Sequence, residues 1–242
     1  MTLQVKLLAL DSALSSCSAA VIEGGEIKSE IFENRMRGQA ERLMPICQDV
    51  CEQAGLSFDD LDAIAVTCGP GTFTGVRIGL AAAKGLALAL GIPLVGVTSL
   101  DVVARNAADK RGNGRIAIAF DARRSEVYWQ IFDVMGGRVV PVMTPVAVPL
   151  VDIESHIDDQ VTAVIGTGAE LVKSFLSQDA QDRLSFPDLP SQPTAGTLGQ
   201  IAYERLEEEL ASGVKVEAVV PLYLRAPDAV AAKPISYPFQ NK

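Results

Sequence analysis

The chain has 242 residues, a formal net charge of −9 and 48% hydrophobic residues. That length fits one large domain or two small lobes, with ample apolar content for a core. The acidic balance argues against the chain being the main grip on nucleic acid, which rests on phosphate neutralisation by Lys and Arg. The single histidine, His156, excludes a paired-histidine metal site built from this chain alone.

The four cysteines, Cys17, Cys47, Cys51 and Cys68, form no C-x-x-C pair and fit free thiols in a reducing cytoplasm. No run of 18 apolar residues occurs, and no basic-then-apolar leader opens the chain. Neither a membrane span nor a secretion signal is therefore expected.

Residues 4–10 read as a first strand running into the polar turn Asp11-Ser12, followed by a short strand over 18–22. Gly24-Gly25 reads as a hairpin turn, and residues 27–32 return as a third strand. The spacing of Leu43, Cys47, Val50 and Ala54 predicts a helix over 38–55, in which Pro45 marks either a kink or the true first turn. Residues 61–68 form a buried strand that enters Gly69-Pro-Gly-Thr-Phe-Thr-Gly75 and then a helix over 75–90 rich in small residues. A short strand over 94–97 follows, with Ser99 as N-cap of a helix from 100 to about 109.

The pattern then starts again. A strand over 116–120 ends in Asp121, a second spans 126–134, Gly136-Gly137 turns, and 139–142 returns. Residues 162–170 echo the earlier strand and glycine loop, leading into a helix over 169–177. The repeat is one of topology, and it predicts two similar α/β lobes with a cleft between them. A last helix over 197–211 carries the stripe Leu198, Ile201, Ala202, Leu206 and Leu210, with Glu207, Glu208 and Glu209 toward water and Gly213 as its stop. Residues 216–224 add a strand or a docked tail, and the composition from Pro227 onward reads as poorly ordered.

Two readings compete at the glycine loop. Amides at a helix N-terminus bind anions, whereas small residues admit a close neighbour. Neither standard nucleotide fingerprint fits: the third glycine of G-x-G-x-x-G comes one residue late, and Lys84 lies too far into the helix for a P-loop. Mid-helix glycines cost about 1 kcal/mol each, which favours packing. Asp11 and Asp121 end the first strand of each lobe, where they either hold a magnesium-bound phosphate across the cleft or cap their own turns. The candidate nucleotide cleft comprises Asp11, Ser12, Gly69, Gly71, Thr72, Asp121, Gly166 and Gly168. His156 has no G-x-S-x-G elbow to serve, and Cys47 and Cys51 read as core. The basic spots Arg35, Arg37, Arg42, Arg123 and Arg124 read as a solvated face.

The segment Gly69-Pro-Gly-Thr-Phe-Thr-Gly-Val-Arg-Ile-Gly79 resembles the signature of the TsaB (YeaZ) family. Leu8-Ala-Leu-Asp11-Ser12, Glu41-Arg-Leu-Met-Pro45, Asp121-Ala-Arg123 with Glu126-Val-Tyr128, and Pro221-Leu-Tyr-Leu-Arg225 resemble further motifs of that family, so the likeness covers nearly the whole chain. Ser12-Ala13 and Gln39-Ala40 depart from its usual Thr-Ser and His-Ser pairs.

The resemblance implies a duplicated actin/Hsp70-like (ASKHA) two-lobed α/β fold. The lobes would be residues 1–100, binding the partner, and 101–230, with the 197–211 helix packing across lobes and 231–242 a flexible tail. It also implies a cytoplasmic, non-catalytic subunit for forming N6-threonylcarbamoyladenosine at position 37 of ANN-decoding tRNAs. The implied partners are TsaD and TsaE homologues, with a homodimer when the chain is alone, tRNA met only indirectly and no membrane. No cofactor or metal of its own is implied, though ATP or ADP would sit at a subunit interface. The helices over 38–55 and 75–90 would form the shared bundle, with Leu43, Met44, Cys47 and Val50 on one and Gly75, Arg77, Gly79, Ala82 and Ala83 on the other. The alternatives are a sugar-kinase-like ATP phosphotransferase using Asp11 or Asp121, and a peptidase, a label that glycoprotease-type relatives attract.

Overall fold

The computed structural model describes residues 4–212 and 218–225. The first sheet has the order β3-β2-β1-β4-β5. It comprises β1 (Lys6–Asp11), β2 (Ser16–Glu23), β3 (Glu26–Asn34), β4 (Ala63–Thr67) and β5 (Leu94–Val97). The opening three strands form an antiparallel meander, and β4 and β5 add in parallel. Gly24 and Gly25 turn the β2–β3 hairpin at φ 60° and 85°, the left-handed region that such two-residue turns require. Because β1 is central and covered on both faces, Leu7 to Leu10 are all fully buried.

The second sheet repeats this plan with β6 (Gly114–Arg123), β7 (Glu126–Met135), β8 (Arg138–Pro141) and β10 (Val161–Ile165), in the order β10-β6-β7-β8. Here β6, β7 and β8 form the meander, β10 adds in parallel to β6, and β9 (Val146–Pro149) pairs with the other end of β7. The order β3-β2-β1-β4 recurs as β8-β7-β6-β10, the duplication of an actin/Hsp70-like two-lobed fold, as the repeat in the sequence predicts; β5 has no counterpart among the described residues.

Side chains alternate across β1. Leu8 and Leu10 pack against α1 (Gln39–Gln53) and α2 (Phe73–Leu90) on the outer face. Leu7 and Ala9 pack on the inner face against α6 (Ala195–Ser212). The inner face of the second sheet, including Ile116, Ile118 and Phe120, packs against Leu100, Val103 and Ala107 of α3 (Ser99–Arg111). Its outer face buries Trp129, Val148 and Val164 against Val172 of α4 (Ala169–Phe175), Ala180 of α5 (Gln178–Arg183) and Ile153 of a 3-10 segment over Leu150–His156.

A division of the chain near residue 100 separates the two sheets, and α6 crosses it. The C-terminal α6 returns to the first sheet, where Gly199 lets it approach: a Cβ there would lie 2.4 Å from Ile22. Of its predicted stripe, Leu198, Ile201, Ala202 and Leu206 are buried, whereas the Leu210 side chain, Gly213 and everything from 226 onward lie outside the described residues. Residues 218–225 form neither helix nor strand and lie as a strap on the loop after β4, the Leu222 amide donating to the Cys68 carbonyl.

Two local expectations change. Thr98, not Ser99, caps α3, accepting from the Asp101 amide at 3.0 Å, which leaves the buried Ser99 hydroxyl to donate to the Pro70 carbonyl. Pro45 lies inside α1, where it withholds the amide that would bond the Glu41 carbonyl.

Candidate functional site

The glycine loop after β4 packs against the first turn of its own lobe. A Cβ on Gly71 would lie 2.3 Å from the Ala13 carbonyl oxygen, and one on Gly75 would lie 2.1 Å from that of Ser12. A Cβ on Gly79 would come within 3.0 Å of Ser12 Oγ. The Thr72 amide donates to the Ala13 carbonyl at 2.8 Å, while Thr72 Oγ1 caps α2 by accepting from the Gly75 amide at 3.0 Å. Ser12 Oγ closes the contact by donating to the Gly75 carbonyl at 2.9 Å. Gly69, at φ 101°, has the Leu222 carbonyl 3.1 Å from its would-be Cβ.

The second lobe repeats the arrangement. A Cβ on Gly166 would lie 2.3 Å from the Ala119 carbonyl oxygen, and one on Gly168 would lie 3.0 Å from Phe120. These glycines admit a neighbouring backbone.

Asp11 and Asp121, paired in the sequence reading, differ here. Asp11 is fully buried, accepting from Thr67 Oγ1 at 2.5 Å, the Ala13 amide at 3.2 Å and Ser16 Oγ at 3.4 Å. Desolvation raises its pKa to about 6, partly offset by those hydrogen bonds. A carboxylate enclosed in this way is not presented to a cleft cation. Asp121 lines the cleft, but it accepts from the Arg123 amide at 2.8 Å and pairs with the Arg123 guanidinium at 3.1 Å, closing its own turn.

The cleft between the lobes has a volume of about 740 Å³. Its walls include Phe73 and Tyr223 on one side and Arg123, Arg124 and Tyr128 on the other. Arg123, Arg124 and Ser125 are three successive non-glycine residues with φ near 60°. Of the candidate nucleotide residues only Gly71, Thr72 and Asp121 reach this cavity. The aromatic and arginine walls were missed because they come from segments far apart in the chain.

The expected partner-binding residues need the largest correction. Leu43, Cys47 and Val50 of α1 and Gly75, Gly79 and Ala83 of α2 face the outer core of the first lobe and are buried there. A partner cannot touch them while the helices lie on the sheet. Met44 and Ala82 are half-buried and Arg77 is exposed. The outward face of α2 instead presents Thr74, Arg77, Ala81, Gly85 and Leu88, with Leu88 85% exposed. By length and composition α2 is also apolar enough to cross a membrane, yet its other face is packed on the sheet.

His156 is exposed, with Nδ1 3.1 Å from the Asp152 carbonyl and 3.3 Å from Ser155 Oγ. Burial pushes the Cys47 thiol up and holds Cys51 at about 11, so both stay neutral core thiols. Among the described residues no group of three or more His, Cys, Asp or Glu could hold a metal. Arg42 pairs with Glu33 at 2.8 Å and with Asp49 at 3.4 Å, and Arg35 pairs with Glu33 at 3.2 Å.

The chain matches the family model described as TsaD, tRNA N6-adenosine threonylcarbamoyltransferase, over residues 27–233. It is 42% identical over 125 residues to the tRNA threonylcarbamoyladenosine biosynthesis protein TsaB of Escherichia coli K12, covering 52% of this chain and 54% of that protein. The chain thus spans about half the length of the Escherichia coli and Haemophilus influenzae relatives it matches. The Bacillus subtilis protein of the same name is 29% identical over 227 residues, covering 93% of this chain and 96% of that one. YeaZ from Pseudomonas aeruginosa superposes with a TM-score of 0.77 at 32% identity, covering 91% of this chain and all of that structure. A further Pseudomonas aeruginosa structure, described as similar to peptidase YeaZ, has a TM-score of 0.78 at the same identity, covering 91% of this chain and 100% of that one. With the 69–79 signature wrapped round the first turn, and with both near-full-length structural matches above 30% identity, the chain belongs to the TsaB (YeaZ) family.

Proposed function

We propose that this protein acts in the formation of N6-threonylcarbamoyladenosine in tRNA as a non-catalytic subunit. It pairs with a TsaD homologue through the outward face of α2 and the adjoining part of α1, and a TsaE homologue joins the assembly. Alone, the chain pairs with itself. Its place is the cytoplasm, it meets tRNA only through the complex, and ATP or ADP belongs to a subunit interface.

The observation that carries this reading is the outward face of α2. Ala81, Gly85 and Leu88 stand exposed on an apolar helix, and a Cβ on Gly85 would meet nothing within 4 Å. A mid-helix glycine facing open space costs about 1 kcal/mol relative to alanine and gains the monomer nothing in packing. It does let a second backbone approach closely. The kinase-like reading loses Asp11, whose carboxylate is sealed in the first lobe. A peptidase reading finds no triad geometry at His156, whose ring, among the described residues, meets only the Asp152 carbonyl and Ser155 Oγ.

Reconstituted tRNA modification, with the threonylcarbamoyl-adenylate synthase, the TsaD and TsaE homologues and ATP, tests the role. Product formation should stop when this chain is omitted, and the chain alone should form none. Equal product with and without it would overturn the assignment.

A further inference from the structure

α2 contains no acidic residue, and its two cations, Arg77 and Lys84, both stand on the exposed side. Among the described residues neither makes an ion pair, although Glu41 and Glu52 are exposed on the neighbouring α1. The outward face of α2 is therefore both apolar and positive, on a chain whose net charge is −9.

Arg77 is held in place. Its guanidinium lies 3.5 Å from the centroid of the Phe73 ring, and its Nε donates to Tyr223 Oη at 2.8 Å. The Phe73 and Tyr223 rings stack with centroids 6.1 Å apart. Tyr223 belongs to the 218–225 strap, which is fastened at both ends of this contact. The Leu222 amide donates to the Cys68 carbonyl at 2.7 Å, and Arg225 pairs with Glu126 of the second lobe at 3.2 Å. Nε is thus committed, and no described residue engages either Nη of Arg77. The Pro221–Arg225 motif supports an arginine fork on the exposed end of α2.

We propose that this face receives a partner protein whose contacting surface is apolar and acidic, with one carboxylate bound by Arg77 and a second by Lys84. The proposal rests on the pairing reading above and adds the chemistry of the partner's surface. The two cations are seven positions apart, so the carboxylates they take stand about 10 Å apart along the α2 axis. That is two turns of a helix lying alongside. The stacked fork suits a carboxylate in a way that a lysine ammonium does not.

Binding of the full chain to the TsaD homologue of the same organism, measured by calorimetry at low and high salt, tests the proposal. Arg77→Glu should weaken binding by about 30-fold or more, Arg77→Lys by about 5-fold and Tyr223→Phe by about 3-fold, following the loss of charge, fork and support in turn. Lys84→Glu, which leaves the Phe73–Arg77–Tyr223 cluster intact, should also weaken binding. The wild-type affinity should fall as salt rises, and the double reversal should remove that dependence. Gly85→Leu separates the two levels of the argument. If it abolishes binding while both charge reversals bind like wild type, the charged contacts are overturned and the pairing face stands. If all three bind like wild type, the face itself is wrong and the proposal falls with it.

Discussion

The two sides of α2 use the same residue types for opposite ends. Inward, Gly75 and Gly79 let the Ser12-Ala13 turn pack directly on the helix, with a would-be Cβ 2.1 Å from the Ser12 carbonyl at Gly75. Outward, Gly85 faces open space within the chain. A small residue on a helix is therefore no guide to an interface until the phase of the helix on its sheet is known. The inward set closes the lobe. The outward set is what remains for a second molecule.

Substitutions at matched glycines should break this symmetry. Gly75→Ala places a methyl group against a backbone carbonyl that cannot rotate away. It should lower stability by about 3 kcal/mol, read as a lowered denaturation midpoint at unchanged slope. Wild-type stability at Gly75→Ala would mean that the first turn can retreat from α2.

Asp11 lies in the same inward contact, and its raised pKa makes the contact dependent on pH. The native state holds the proton up to about pH 6, whereas an unfolded aspartic acid releases it near its ordinary 3.8. Native protein thus binds more protons between these values, so this group's contribution falls as pH rises through that window and is constant above it. Asp11→Asn should gain on the wild type by up to about 3 kcal/mol between pH 4 and pH 7, with little difference at the acid end. Parallel pH profiles for the two proteins would overturn this.

The smallest effect belongs outside. Gly85→Ala should stabilise the isolated chain by about 1 kcal/mol, since the added methyl group meets nothing and helix propensity improves. The same variant should weaken pairing with the TsaD homologue. A stabilised monomer with unchanged pairing would show that Gly85 is not a contact point.

Much of the fold was legible before any coordinates. Each meander announced itself through two apolar strands joined by Gly-Gly, and the glycines at 24–25 and 136–137 all adopt positive φ. The buried run at residues 63–67 and its glycine loop were equally plain, since both faces of β4 are covered. The site was less legible. Gly75, Gly79 and Ala83 recur at helical spacing, but so do Ala81, Gly85 and Ala89, so both sides of α2 are small and apolar and the sequence carries little phase. Asp11 and Asp121 stand at or near the ends of equivalent strands, yet the meeting of Thr67 and Ser16 around Asp11 depends on two further strands.

What the sequence by itself determined was local and repetitive: the strand runs, the paired hairpin turns, the amphipathic helices and the 69–79 signature that marks the family. These follow from backbone preference and from periodic burial, which neighbouring residues encode. Only the tertiary structure decided which side of α2 faces the sheet, that α6 returns to the first lobe, and that Tyr223 reaches across 146 positions to hold Arg77. Those contacts join segments remote in the chain, and their geometry exists only once both sheets and the strap are packed together.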